Sequence, residues 1–457
     1  MTIILYDGRR RHTISPAASP ESQNRCTNIA PQSTSNASPE LAETGWLTAL
    51  HIPLNLDDVF LQYTRSKLFQ GSNRVDVVLP AHVDRSLMTK AFLALCTTFF
   101  GLEHKEKGVI RQGFQRYGHA LEHIHRALED PVRCASFDLL ESIAVMSVFE
   151  FIISDDWTGW LSHLVGLEKL FSFRGPESFI TFPELLILEK SRVSIITSSL
   201  LVRRHTILSN QEWKAIPWTY FPERKNSMEL LVDILADCPA LFADQMQLLS
   251  NRNLAITNQV AAGLKHLLGR AYRLLDQLEK WKEQWDLDNP GYCHEIPAPF
   301  PRPTSFGWQG EKDMETPIWT TILNYASVYH ANTMVLYDGT LILLLRYIQG
   351  IMNELNILAA PTDRQSFDLW ERSYAASLAI CRSVEYHLQG MRRGVVDFHL
   401  MFPLRMANQT IGDSNPAIGL WIQDVLQQIR DGQSSRWTLA KYLLEVQTVP
   451  GALLQAT

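Results

Sequence analysis

Apolar residues recur at helical spacing along most of the chain from about Leu47 onward. One such stripe, which ends at Asp130-Pro131, contains Phe114, Tyr117, Leu121, Ile124 and Leu128. Another stripe runs from Met228 to Asp237 and ends at Cys238-Pro239, a longer one runs from Ile256 to Trp285, and the last predicted helix is Trp437 to Val446. Strictly alternating segments are nearly absent. Spacing of three to four residues is typical of amphipathic helices, and alternation is typical of strands. The pattern therefore predicts an all-α protein, an irregular multi-helix array of packed helix pairs.

Two segments depart from this pattern. Residues 1–45 are rich in Ser, Thr, Pro, Asn and Gln, a composition that buries too little apolar surface to offset the entropy of ordering. We therefore expect a disordered N-terminal tail followed by a helical domain over residues 46–450. Within that domain, residues 286–317 contain six prolines. This stretch is predicted to be an irregular loop on the surface.

The most distinctive local segment, Trp160 to Pro176, reads WLSHLVGLEKLFSFRGP. Its apolar spacing predicts a helix that stops before Pro176, because the residue before a proline is pushed out of the α region. Gly166 costs about 1 kcal/mol in mid-helix relative to alanine, so we expect it to allow another helix to approach closely. Arg174 is expected to cap or pair near the Gly175-Pro176 turn. His163 is expected to be a hydrogen-bonded structural residue rather than a general base.

Motifs that would indicate an enzyme are nearly absent from the sequence. It contains no GxSxG, no GxxxxGK[ST] and no GxGxxG. His119, Glu122 and His123 match the HxxEH zinc-protease spacing, but they flank a charged helix surface and have no identifiable third ligand. The sequence thus predicts no catalytic residues and no metal site.

The net charge and the cysteine pattern further restrict the kinds of protein that this sequence can represent. A net charge of −6 and a pI near 6.2 argue against attraction of the whole chain to nucleic acid or to an anionic membrane. The six cysteines are scattered without a CxxC pair, as is typical of reduced thiols in an intracellular protein. The apolar run Val335 to Ile348 is interrupted by Asp338, Gly339 and Arg346, which predicts a buried helix rather than a membrane span.

Basic clusters are few. Arg9, Arg10 and Arg11 lie in the tail and are a candidate nuclear-import signal or phosphate-contacting arm. Arg203 and Arg204 are expected to lie at a solvated helix end.

The order of these pieces resembles the regulatory (middle homology) domain of fungal-specific transcription factors over most of residues 55–446. The most specific block is formed by Trp160, His163, Gly166, Leu170, Arg174, Gly175 and Pro176. Further blocks in the same order are Arg203 to Leu208 with Trp213 and Pro217-Trp218, Leu230 to Leu241, Phe402 to Ala407, and Trp421-Ile422. The resemblance implies a nuclear, non-enzymatic transcription regulator, commonly of metabolic or biosynthetic genes. It also implies protein partners such as the transcription machinery or another regulator, a possible small apolar effector and a possible homodimer.

One feature departs from that family. Its DNA-reading module holds two zinc ions in a compact cysteine cluster that begins with CxxC, whereas only Cys26 precedes Cys96 in this sequence. We therefore expect no cofactor in this chain, and DNA contact only where a zinc cluster is supplied upstream or in trans. Two explanations stay open: the sequence begins too late, or the protein is a regulator without its own DNA-binding domain. The alternative function is a helical ligand-sensing or scaffold protein that never touches DNA.

Overall fold

The structure is a computed structural model that describes residues 55–68, 86–154, 157–250, 257–299, 318–355, 364–388, 397–412 and 414–431. Within these ranges the chain is almost entirely helical, which confirms the all-α prediction. The helices are α1 (Leu56–Leu68), α2 (Leu87–Glu103), α3 (Lys107–Glu129), α4 (Pro131–Cys134), α5 (Phe137–Ile153), α6 (Trp157–Arg174), α7 (Phe182–Leu201), α8 (Gln211–Ala215), α9 (Ser227–Ser250), α10 (Thr257–Asp288), α11 (Val328–Glu354), α12 (Arg364–Leu388), α13 (Asp397–Ile411) and α14 (Pro416–Asp431). Short 3₁₀ turns occupy Pro176–Phe179, Ile207–Ser209, Ile216–Trp218 and Pro222–Arg224.

Side-chain caps fix where several of these helices begin. The Ser86 hydroxyl accepts from the Thr89 amide (3.1 Å), and the Ser136 hydroxyl accepts from the Leu139 amide (3.2 Å). Such caps satisfy amide groups that have no partner inside the first helical turn. Asp130 caps α4 through the Val132 amide (2.9 Å), so α3 ends before Pro131 as predicted.

Helices that follow one another in the chain pack in pairs, as expected for the predicted array. Helix α2 packs along α3 and α5, α5 along α6, α9 along α10, and α11 along α12 and α13. The buried apolar side chains form one continuous cluster that extends from Phe60 to Val425. The predicted domain boundaries of 46 and 450 stay a prediction.

A two-stranded antiparallel sheet corrects the predicted loop at residues 286–317. Helix α10 continues to Asp288, and β1 (Cys293–Pro297) pairs with β2 (Thr321–Tyr325), Cys293 lying opposite Tyr325. Residues 300–317 lie outside the described residues. The proline-rich composition of this stretch indicated a loop, and β1 was therefore not predicted. The strand nevertheless forms because Pro297 stands at its end, where a missing amide is tolerated.

Helix α9 corrects a second prediction, since the apolar stripe that begins at Met228 was expected to end at Cys238-Pro239. The helix instead runs through Pro239 to Ser250. Cys238, Pro239 and Leu241 are all buried in the core. Packing along the whole helix therefore outweighs the one hydrogen bond that the proline removes.

Helix α11 runs through the core. It is the one described helix that is long and apolar enough to cross a membrane, but 83% of its most apolar window is buried within the protein. That burial confirms the prediction of a core helix for Val335 to Ile348. The predicted N-terminal tail, with Arg9, Arg10, Arg11 and Cys26, and the predicted helix Trp437 to Val446 lie outside the described residues.

Candidate functional site

Helix α6 carries the distinctive sequence block through the middle of the helical array. Trp160, His163, Leu164 and Leu170 are buried, and α6 packs on α5 and α7. The Trp160 ring lies 6.1 Å from the ring of Phe151 on α5. The helix ends at Arg174, as the proline predicted.

His163 takes part in a buried polar cluster with Tyr117 and Glu150. The Tyr117 hydroxyl donates to the Glu150 carboxylate, and His163 Nε2 lies 3.2 Å from the same hydroxyl oxygen. Because the hydroxyl has a single proton, His163 Nε2 is the donor to Tyr117. Burial lowers the pKa of His163 to about 4 and raises the pKa of Tyr117, which Glu150 raises further. The histidine is therefore neutral at physiological pH, as expected for a structural residue.

Two glycines on α6 flank His163 and differ in their surroundings. A Cβ atom at Gly159 would lie 2.6 Å from Glu150 Cδ, so this glycine makes room for the carboxyl group. A Cβ atom at Gly166 would meet nothing within 4 Å. The prediction that Gly166 permits a close helix approach is therefore wrong, because no other part of the described structure lies against it.

Arg174 and Gly175 form the turn that leads out of α6. The Arg174 guanidinium donates to the Ala135 carbonyl (2.8 Å) and lies 3.7 Å from Glu184 at the start of α7. Gly175 has φ = 75°, a conformation that residues with a Cβ rarely adopt. Pro176 then opens a buried 3₁₀ turn. Arg174 thus pairs at this turn, as expected, and connects the end of α6 to the segment before α5 and to the first turn of α7.

A buried carboxylate on α6, Glu168, was not singled out from the sequence. It accepts from the Thr206 hydroxyl (2.6 Å) and from the Ile207 amide (2.9 Å), and it forms an ion pair with Arg204. The expectation that Arg203 and Arg204 lie at a solvated helix end is therefore wrong for Arg204. The chain turns back at Arg203, whose φ is 51°, and this turn brings Arg204 to Glu168.

A second charged cluster fixes α7 against α9. The fully buried Arg192 side chain binds Glu229 (2.5 Å) and Asp233, and its guanidinium carbon lies 4.9 Å from the centre of the Trp218 ring. Lys225 reaches the same ring at 3.8 Å and Asp233 at 2.7 Å. Burial, with Arg192 nearby, lowers the pKa of Lys225 to about 8. The Pro217-Trp218 block thus provides the aromatic surface for two cations.

A third polar group, Asp338, lies deep in α11. Burial raises the pKa of its carboxyl to about 8. Its charge raises the pKa of three tyrosines, which are Tyr292 just before β1, Tyr325 on β2 and Tyr337 on α11. In the sequence, Asp338 was noted only because it interrupts an apolar run. A single acidic residue inside such a run is the signal that could have indicated a buried carboxyl group.

The zinc-protease spacing on α3 is exposed. His119 lies 3.7 Å from Glu122, with side chains 75% and 57% exposed, respectively. Throughout the described part of the chain, no three His, Cys, Asp or Glu side chains are grouped as a possible metal site. The five cysteines in that part are free thiols.

Comparison with known proteins supplies the family. A family model described as the fungal specific transcription factor domain matches residues 60–359, which is more than half of the chain. The chain belongs to this family. Searches of curated proteins and of solved structures give no match.

Membership of the fungal-specific transcription factor domain family confirms the resemblance drawn from the sequence. The α6 block, the Glu168 contacts and the Arg192 cluster all fall inside the matched residues. Helices α13 and α14, which carry the Phe402 to Ala407 and Trp421-Ile422 blocks, lie beyond them. The family is one of transcription regulators, so the chain is a regulator of transcription.

Proposed function

We propose that this chain is the regulatory domain of a fungal zinc-cluster-type transcription regulator that acts in the nucleus on metabolic or biosynthetic genes. The family match over residues 60–359 is the observation that carries the proposal. Partners are other regulators or the transcription machinery, and a homodimer is compatible with this role. DNA is contacted through a zinc cluster supplied upstream or in trans.

A non-catalytic role agrees with the chemistry around α6. The neutral His163 donates to a tyrosine whose pKa is raised, so neither group is an activated nucleophile or a base suited to neutral pH. The other buried charges bind one another across helices: Glu168 holds the segment after α7, and Arg192 joins α7 to α9. We propose that α6 and these ion pairs form a rigid scaffold that presents partner-binding surfaces.

The test is to locate the chain in cells and to map its chromatin contacts. The full chain fused to a fluorescent protein should accumulate in nuclei of a fungal host, and chromatin immunoprecipitation should recover promoters whose genes change expression when the gene is deleted. Nuclear exclusion together with an absence of promoter occupancy would instead favour the ligand-sensing or scaffold protein.

The contribution of the N-terminal arginines can be tested separately. Replacing Arg9, Arg10 and Arg11 by alanine should reduce nuclear accumulation. A matched variant removes the same charge from α3 by replacing the exposed Lys107, Arg111 and Arg126. If both variants behave alike, the arginine cluster is not an import signal.

A further inference from the structure

Helix α12 leaves a row of aromatic side chains outside the core. The helix packs on α11 and α13, and its core-facing side chains include Leu369 and Ile380. By contrast, Phe367 is 63% exposed and Trp370 is 40% exposed, and Tyr374 is half-buried. Residues spaced by three and four positions lie on the same face of a helix. These three rings therefore form one row, the aromatic stripe.

The rings of the aromatic stripe contact one another. The Trp370 ring lies 5.1 Å from the Tyr374 ring, on which it stacks, and 6.3 Å from the Phe367 ring. Among the ring contacts of the described residues, Phe367 with Trp370 is the pair in which both side chains are exposed. Single exposed apolar residues are ordinary on a protein surface, whereas neighbouring exposed aromatic rings are typical of an interaction surface.

Two acidic side chains without partners lie beside the aromatic stripe. Asp368 and Glu371 each come one position after a ring of the stripe, so both lie along the same side of it. Both are exposed, and in the described part of the chain neither forms a hydrogen bond or an ion pair. Arg372, one turn after Asp368, is bound to Glu279 of α10. The stripe is therefore bordered by negative charge that the fold does not neutralise.

We propose that the aromatic stripe, with Asp368 and Glu371, binds a basic segment of a protein partner. Apolar side chains of that segment pack on the Trp370 ring, and its arginine or lysine side chains pair with the two carboxylates. A cation at this position is attracted by both the carboxylate and the aromatic face. The inference rests on the proposed function, because it describes the chemistry of one protein partner of the regulator.

The charge beside the stripe favours this occupant over others. DNA phosphates and anionic lipid headgroups would be repelled by the unpaired carboxylates. A second copy of the chain that docked through the same stripe would bring the carboxylates of both copies into one contact, where like charges oppose binding. A basic protein segment both covers the rings and neutralises the acids.

The experiment compares two synthetic peptides that differ in charge. The first is a short fluorescein-labelled peptide of leucine and arginine pairs, and in the second glutamine replaces every arginine. Each peptide is titrated with the purified full chain at low salt and followed by fluorescence anisotropy. We expect the arginine peptide to bind at least about tenfold more tightly than the glutamine peptide. Equal affinities for the wild-type chain would overturn the proposal without any variant.

Two double variants test the acidic part of the site. Asp368→Asn with Glu371→Gln should remove the preference for the arginine peptide, because the carboxylates that pair with it are gone. Glu122→Gln with Glu129→Gln changes the net charge by the same amount at two exposed positions of α3 and should keep the preference. The same loss in both double variants would mean that the peptide responds only to net charge, and the proposal would then be wrong.

Two single variants test the aromatic part. Trp370→Ala should weaken binding of the arginine peptide by at least about tenfold, because a tryptophan commonly carries a large share of the energy of an interface. Tyr220→Ala removes a ring that is 68% exposed and should leave the affinity unchanged. Both positions are exposed, so the helical circular dichroism of both variants should match that of the wild type. Equal effects of the two variants on binding would contradict the proposal.

Two further outcomes would assign the surface to a different occupant and so overturn the proposal. If replacing Arg9 to Arg11 by alanine strengthens binding of the uncharged glutamine peptide, the N-terminal segment of the chain itself competes for the stripe. If the chain sediments as a dimer that Trp370→Ala dissociates, the stripe binds a second copy. The peptide titration needs only the purified chain and the nuclear assay needs only cells, so either can fail while the other stands.

Discussion

Gly113 of α3 lies directly against Thr98 of α2: a Cβ atom at position 113 would stand 2.7 Å from the Thr98 Cα atom. The same pair of helices meets again at Gly101, where an added Cβ would lie 2.7 Å from the Ile110 amide nitrogen. Ala91 and Ala94 of α2 and Ala120 and Ala127 of α3 are buried as well. The backbones of α2 and α3 therefore lie in close contact at both glycines.

We predict that Gly113→Ala destabilises the protein by about 1 to 3 kcal/mol, because the new methyl group would require the two backbones to separate. Gly118→Ala on the same helix meets nothing within 4 Å and should stabilise by up to about 1 kcal/mol through helix propensity. Urea unfolding followed by circular dichroism compares the two variants. Equal effects in both would show that α2 and α3 are not in close contact at Gly113.

Two glycines of helix α6 offer a second matched pair of variants. Gly166→Ala should stabilise by about 1 kcal/mol, since the added methyl group meets no neighbour. Gly159→Ala should destabilise by about 1 to 3 kcal/mol, because the Glu150 carboxyl would have to leave its position beside Tyr117. The same unfolding measurement applies, and a loss of stability in Gly166→Ala would restore the close-packing interpretation.

The sequence predicted the helices well where an apolar stripe ends at a proline, as at Pro131 and Pro176. It failed where tertiary contacts override a local preference: Pro239 lies inside α9 because its neighbours are buried along the whole helix. The spacing of Gly166 cannot reveal whether another backbone lies beside it, since that depends on a different helix.

The charged clusters were harder to predict, because they join residues distant in the chain. Glu168 meets Arg204 only after the turn at Arg203, and Arg192 meets Glu229 across two helices. The sequence pattern of one helix does not show which residue of another element will form an ion pair with it. Asp338 was visible as a lone acid in an apolar run, but the tyrosines whose pKa its charge raises include Tyr292, just before β1, and Tyr325, on β2, and neither strand was predicted.

The neutral state of His163 makes stability depend on pH. Its pKa is about 4 in the folded chain against 6.5 for a free side chain, so between these values the unfolded state binds a proton that the folded state excludes. Stability from this group is complete above pH 6.5 and falls with decreasing pH by up to about 1.4 kcal/mol per unit. His163→Gln keeps an N–H donor for Tyr117 but does not titrate. The variant should therefore show a shallower loss of stability between pH 6.5 and 4.5 in urea unfolding; parallel curves would contradict the neutral histidine.

Removing one partner from the Arg192 cluster should reduce stability far more than removing one partner from an ion pair on the surface. Arg192→Met leaves Glu229 without its buried partner and Asp233 with Lys225 alone, which we expect to cost about 3 to 5 kcal/mol. Lys280→Met removes a cation from an exposed pair with Asp276 and should leave stability close to that of the wild type. Thermal unfolding of both variants is the measurement. A mild effect of Arg192→Met would mean that the two carboxylates find water or another cation.

Asp338 predicts a pH dependence of the opposite sign to that of His163. The folded pKa of Asp338 is about 8 and the free value is 3.8, so between them the folded chain keeps a proton that the unfolded chain loses. The contribution of this group to stability therefore falls as pH rises, by up to about 1.4 kcal/mol per unit, and reaches its minimum above pH 8. Asp338→Asn has the shape of the protonated acid and does not titrate. The variant should match the wild type near pH 4 and exceed it increasingly towards pH 8, as measured by urea unfolding at three pH values. A difference that does not change with pH would mean that the carboxyl finds a partner in the folded chain.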